Sequence, residues 1–292
     1  MIRRIPDAMK AALGLMLAVA CLIAGAARAA PTDGVYERAL LLEADRRCGL
    51  FSEDTHGALQ VSAAQARSSA ERAGVSRTVL EAAALRGRAR ARSTACDSAD
   101  LTQVADRVRQ AYAGWRDRAR MTFDAGAREW RADRVRQERA TWRLAQDGRV
   151  GASPVTVGYA AAGTEPLSFS AVVAFHGKSR PYAARVVTRD PARARSPHLP
   201  TVQASILPLP PKTARRFVWA TDTGRAEASL APAGRSAEVW RFPESAAAAI
   251  AELDPRETFT VEFLFRDDSV LRVRYQAGDF AAARAFVRMG SL

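Results

Sequence analysis

The chain has 292 residues, 48% hydrophobic and 26% charged, with a formal net charge of +13. That length admits two modest domains. Three histidines and three cysteines, with neither C-x-x-C nor H-E-x-x-H among them, exclude a zinc site of familiar spacing.

The first residues read as a leader. Arg3, Arg4 and Lys10 precede an apolar stretch from Ala11 to about Ala26, and Ala27-Arg28-Ala29 ends it. Positive, apolar and small segments in that order predict a secretory signal peptide over residues 1–29. The apolar stretch is short for a bilayer span, which needs roughly 20 residues. The protein is therefore expected to be exported, periplasmic or secreted, with no transmembrane segment after signal removal. Lipid anchoring at Cys21 is the minor alternative, although residue 18 is Ala where a lipoprotein box usually has Leu.

Removing residues 1–29 leaves a net charge of about +10, with Lys178 and Lys212 as the remaining lysines. Guanidinium groups fork onto phosphate and carboxylate oxygens. In an exported protein this implies weak, salt-dependent contact with anionic envelope components and none with nucleic acid. The plainer reading is compositional, with arginine standing for lysine on solvated faces. Cys48 and Cys96 are expected to pair, since an oxidising compartment favours one disulfide.

The first half reads as a helical domain over 34–119. Val35–Cys48 places Leu40, Leu41, Ala44 and Cys48 on one face, and Gly49 stops it. Glu53–Ala73 carries a seam of Leu59, Ala63, Ala66 and Ala70. Ser76 caps a third helix to about Cys96, with Leu80, Ala84 and Ala91 facing in. Ser98 caps a fourth, where Leu101, Val104, Ala105, Val108, Tyr112 and Trp115 recur at helical spacing. Short links make neighbours antiparallel, so the first and third helices run parallel and bring Cys48 and Cys96 to one end. Residues 120–140 are read as a charged connector over the surface, pinned by Met121, Phe123 and Trp130.

Residues 141–292 read as a mainly antiparallel, sandwich-like β domain with two short helices, making the whole an α+β chain. Candidate strands are Thr141–Gln146, Pro154–Ala162, Leu167–Phe175, Ala183–Arg189, Arg215–Thr221, Ala226–Leu230 and Ala237–Phe242. Phe259, Val261, Phe263 and Phe265 alternate, "RDDS" turns, and Leu271, Val273 and Tyr275 alternate back as a hairpin. Helices are expected at Pro243–Leu253 and Asp279–Met289.

The tail "AAAAIAELDPRETFTVEFLFRDDSVLRVRYQAGDFAAARAFV" orders a helix, a strand, a turn, a strand and an aromatic-led helix. In that order residues 237–288 resemble the closing segment of the invasion-associated locus B family of exported β-sandwich proteins. That family's paired cysteines have no counterpart after Cys96, and the helical half has none in the family. The overall layout is similar to uncharacterised exported bacterial proteins.

The stretch "SAVVAFHGKSRPY" raises the chemical question, because His176-Gly177 after an apolar run resembles the oxyanion loop of an α/β-hydrolase. Such an enzyme needs G-x-S-x-G followed by an acid and then a histidine. "GASPV" precedes the loop, "GRSAE" lacks the last glycine, and no histidine follows His198. The run is read instead as a hairpin, Ala171–Phe175 turning through His176 into Ala183–Val187. His176, Lys178 and Arg180 remain a candidate polar site. "RGRARAR" supplies candidate anion contacts at Arg86, Arg88, Arg90 and Arg92. On a helix, Arg86 and Arg90 share one side while Arg88 and Arg92 share the other, so a solvated reading is favoured. No glycine-rich phosphate loop occurs, and no catalytic, metal-ligating or cofactor-binding residue is nominated. The expectation is a non-catalytic, exported binding or scaffolding protein without cofactor. The alternative is a hydrolase of unfamiliar type around His176 and Lys178.

Overall fold

A computed structural model describes residues 30–115, 117–176, 180–199, 209–232 and 235–292. The expected leader and Cys21 lie outside the described residues. The fold is α+β: four N-terminal helices, then antiparallel sheets of seven and four strands with two further helices.

The helices are α1 (Asp33–Cys48), α2 (Glu53–Arg72), α3 (Arg77–Ser93) and α4 (Ala99–Tyr112). Ser52, Ser76 and Ser98 accept from the amides of Thr55, Val79 and Leu101, capping α2, α3 and α4. Each cap contributes about 1 kcal/mol. Gly49 ends α1 in the left-handed conformation, φ 62°, which glycine adopts without a Cβ penalty. Cys48 and Cys96 form a disulfide with their Cα atoms 5.6 Å apart. In the chain-entropy model, closing a loop of about 49 residues contributes roughly 4 kcal/mol.

Gly87 explains why α1 and α3 approach so closely. A Cβ there would stand 2.3 Å from the carbonyl oxygen of Tyr36. Leu80, Ala83, Gly87 and Ala91 are the buried seam of α3, so the arginines of "RGRARAR" splay to either side of it.

The larger sheet runs β1 (Arg120–Ala125), β2 (Arg128–Asp133), β3 (Thr141–Val150), β4 (Ser153–Ala161), β5 (Ser168–Val173), β9 (Glu238–Arg241) and β8 (Asp222–Arg225). The smaller runs β11 (Val270–Gln276), β10 (Thr258–Leu264), β6 (Ala183–Arg189) and β7 (Arg215–Trp219). Helices α5 (Glu244–Ala251) and α6 (Phe280–Val287) complete the unit. The core between the sheets holds Phe169, Val186, Trp240, Phe259, Val261 and Phe263.

Three expectations are corrected. Residues 120–133 are not a surface connector but the β1–β2 hairpin. Phe123 and Trp130 are 2% and 0% exposed. Trp130 stacks on Phe259 and its Nε1–H donates to Ala277 O at 2.9 Å. The strand period was present in Phe123-x-Ala125 and Trp130-x-Ala132. It was masked by charged residues on the opposite face, which a helical stripe search does not separate. Secondly, no hairpin joins β5 to β6. β5 pairs β4 and β9, while β6 pairs β10 and β7 in the other sheet. The link is longer than a hairpin turn and crosses between the sheets. Thirdly, residues 226–230 are not a strand. They turn over the outer face of the larger sheet, where Leu230 joins Val172, Ala174 and Val239 in a second apolar cluster.

The helical module is seated on the β unit through α2 and α6. Val61 of α2 belongs to the main core. A Cβ on Gly57 would meet Met289 Cγ at 2.6 Å. Arg72 pairs with Asp279 at 2.6 Å. Among the described residues, no helix is long and apolar enough to cross a membrane.

Candidate functional site: an arginine pocket beside the C-terminal tail

The residues singled out around His176 do not assemble a site. His176 is exposed, and its backbone N–H donates to Ser153 Oγ at 2.9 Å. Among the described residues its imidazole has no side-chain partner. Lys178 lies outside the described residues. Arg180 Nε pairs with Glu238 Oε1 at 3.1 Å.

The α3 arginines are divided as the helical period requires. Arg92 Nε donates to Glu43 Oε1 at 2.9 Å. Arg86 and Arg90 are exposed and Arg88 is half-buried. Among the described residues these three have no ion pair. They flank the Gly87–Ala91 seam and do not converge on one point.

A cavity of about 360 Å³ opens at one end of the sandwich, lined by Arg134, Arg136, Arg143, Glu165, Leu167 and Arg288 among others. Its walls are the ends of β2 and α6, the start of β3, the β4–β5 loop and the tail. The tail is held as a short extension of the sheet. Leu292 N donates to Arg134 O at 2.8 Å and Arg136 N to Leu292 O at 3.0 Å.

Two guanidinium groups are buried there. Arg134 is 2% exposed and donates to Gly290 O at 2.7 Å, with Phe286 5.5 Å beneath it. Burial lowers its pKa, against the attraction of Asp54. Arg134 thus staples the tail through main-chain carbonyls. Arg143 is 4% exposed, and its guanidinium donates to Val135 O. Among the described residues no carboxylate pairs with it.

A β-bulge aims Arg143. Pairing passes from Trp142↔Ala160 to Leu144↔Tyr159, leaving Arg143 as the extra residue. The extra residue puts Trp142 and Leu144 on opposite faces of the sheet, Trp142 against the outer cluster and Leu144 in the core, and Arg143 between them lines the cavity. Gly158 makes room for this, because a Cβ there would stand 1.8 Å from Leu144 O.

The rim is partly neutralised. Asp133 pairs with Arg120 at 2.9 Å and Arg288 with Glu244 at 2.6 Å. Glu244 also accepts from Tyr159 Oη at 2.8 Å and Arg284 Nη2 at 2.5 Å. Burial and the Glu244 carboxylate push the Tyr159 phenol up to about 12, so it stays a neutral donor. The cavity is left with buried positive charge at its base.

A second cleft, of about 440 Å³, lies against the same tail and shares Arg288. In it His56 Nδ1 contacts Asp45 Oδ2 at 2.6 Å, and Gln60 Nε2 contacts His56 Nε2 at 2.9 Å. Asp45 Oδ1 accepts from Phe51 N at 2.8 Å. A carboxylate that orients a histidine is the support a general base needs. Among the described residues no hydroxyl or thiol contacts the ring, whose outer nitrogen faces an amide. The sequence carries no motif for this pair, which is 11 residues apart across the α1–α2 turn.

No protein-family profile, curated protein or solved structure matches the chain.

Proposed function

We propose that this is an exported, non-catalytic binding protein that takes a small anionic ligand, bearing a carboxylate or phosphate, in the Arg143 cavity. The basic, apolar and small segments in order over residues 1–29 support the export part of that reading, and the Cys48–Cys96 disulfide is compatible with it. The observation that carries the binding part is Arg143, a buried guanidinium on a bulge whose one partner among the described residues is a main-chain carbonyl. An unpaired buried charge costs several kcal/mol, and an anion in the cavity offsets that cost. The cavity lies in the usual range for small ligands, roughly 300–1,000 Å³.

Thermal unfolding with millimolar phosphate, sulfate or citrate tests this. Ligand at about 100 times its Kd stabilises by about 2.7 kcal/mol. Arg143→Met keeps the apolar stem and removes the charge. It is expected to melt at or above the wild-type temperature without anion, and to lose the anion-induced rise. A variant that unfolds early without anion, or keeps the rise, overturns the assignment.

A second reading is favoured by Asp45 and His56: a hydrolase with His56 activating water in the adjoining cleft. It moves the enzymatic alternative away from His176. Hydrolysis of model esters that is abolished by His56→Gln supports it.

A further inference from the structure

The helical module has an apolar face that nothing in the chain covers among the described residues. On α1 the buried residues are Val35, Glu43, Ala44 and Asp45, while Leu40, Leu41 and Leu42 stay half-open. On α4, Leu101, Ala105 and Val108 are buried, yet Val104 and Tyr112 of the same stripe are half-open. Leu40 and Leu41 face Val104, Val108 and Tyr112 across a groove of about 450 Å³ whose floor includes the fully buried Leu59.

The rim of the groove is charged. Arg38 is occupied by Ser62 at 3.1 Å and Glu37 at 3.3 Å. Arg107 is exposed, and among the described residues it has no ion pair. The groove therefore joins an apolar trough to one uncommitted guanidinium. A stable protein interface uses about 20–30 residues a side, whereas ten residues line this groove. The groove by itself is therefore too small to make a stable protein interface.

We propose that this groove binds a single-chain amphiphile with a carboxylate head. The alkyl chain lies on Leu40, Leu41, Val104 and Tyr112, and the carboxylate meets Arg107. Burying methylene groups supplies the affinity, and the guanidinium sets the preference for an anionic head. The site is separate from the Arg143 cavity and does not depend on the reading of that cavity.

Calorimetric titration of the folded full-length protein with dodecanoate, below its micelle concentration, tests this. One saturable site is expected. Butyrate, which keeps the head and loses the chain, and dodecyltrimethylammonium, which keeps the chain and reverses the head, should each bind at least about tenfold more weakly. Val104→Gln and Leu41→Gln change half-open positions, so both should fold with an unchanged circular dichroism spectrum. Each should weaken dodecanoate by about tenfold or more. Arg107→Gln should narrow the gap between the anionic and cationic amphiphiles. The proposal is overturned by absent saturation, by equal binding of the two head groups, or by indifference to both groove variants. Sedimentation showing a dimer that Leu41→Gln dissolves also overturns it, since a second copy would then fill the groove.

Discussion

Glu43 shows how a buried charge on α1 is tolerated. Its carboxylate accepts from Arg46 Nη2 and Arg92 Nε, each at 2.9 Å. These bonds, Arg46 first, hold its pKa down to about 2 from an ordinary 4.5. A depressed carboxyl contributes stability that is present above its unfolded pKa and lost as pH falls through the folded one. The melting temperature is therefore expected to fall between about pH 4.5 and about pH 2, and less steeply in Glu43→Gln. Equal slopes for the two proteins would show that Glu43 is not a source of acid lability. Gly87 supplies a second test at this scale. On helix propensity alone Gly87→Ala gains about 1 kcal/mol. With the Tyr36 carbonyl 2.3 Å from the new Cβ, it should instead lose about 1–3 kcal/mol. Denaturant unfolding gives the sign directly.

At the scale of elements, the β1–β2 hairpin carries the main lesson. Its inward side chains, Phe123, Ala125, Trp130 and Ala132, complete the core under α6. Trp130→Ala is expected to cost about 3–5 kcal/mol, with hydrogen exchange quickening across residues 120–133. A surface connector would lose within about 0.5 kcal/mol, so the measurement separates the two accounts. Local patterns were enough for the helices. Ser52, Ser76 and Ser98 cap because their oxygens reach amides three residues on, and Gly49 stops α1 for an equally local reason. The turn at 226–230 was not legible, because Ala and Leu at alternating places fit a strand equally well. Only packing on Val172 and Val239 decides it.

For the whole molecule, the arginine excess predicts diffuse rather than shaped binding outside the cavities. Arg86, Arg88 and Arg90 splay around α3 without partners among the described residues, whereas Arg92 is committed to Glu43. Exposed charges are screened over roughly 8 Å at physiological salt. Co-sedimentation with anionic vesicles should fade between low and moderate salt. Substituting Arg86, Arg88 and Arg90 with glutamine should weaken it only in proportion to charge. Tight binding that survives high salt, or that vanishes with one arginine, would reveal a shaped surface site and contradict this account.

The sequence by itself determined the α+β class, the four helices, three of them serine-capped, the Cys48–Cys96 pairing and the β10–β11 hairpin. The helices and the hairpin rest on periodicity, caps and short turns, which neighbouring residues specify among themselves, and the pairing follows from two cysteines at the ends of helices that short links force to run parallel. Tertiary structure alone decided that β5 and β6 enter different sheets, that the β3 bulge turns Arg143 into a cavity, and that Asp45 meets His56. It also decided that the leucines of α1 stay half-open, although their spacing promised a buried face. Strand pairing, burial of a charge and the coverage of a face depend on which distant segment arrives to supply the partner. Composition and spacing along the chain hold no record of that arrival.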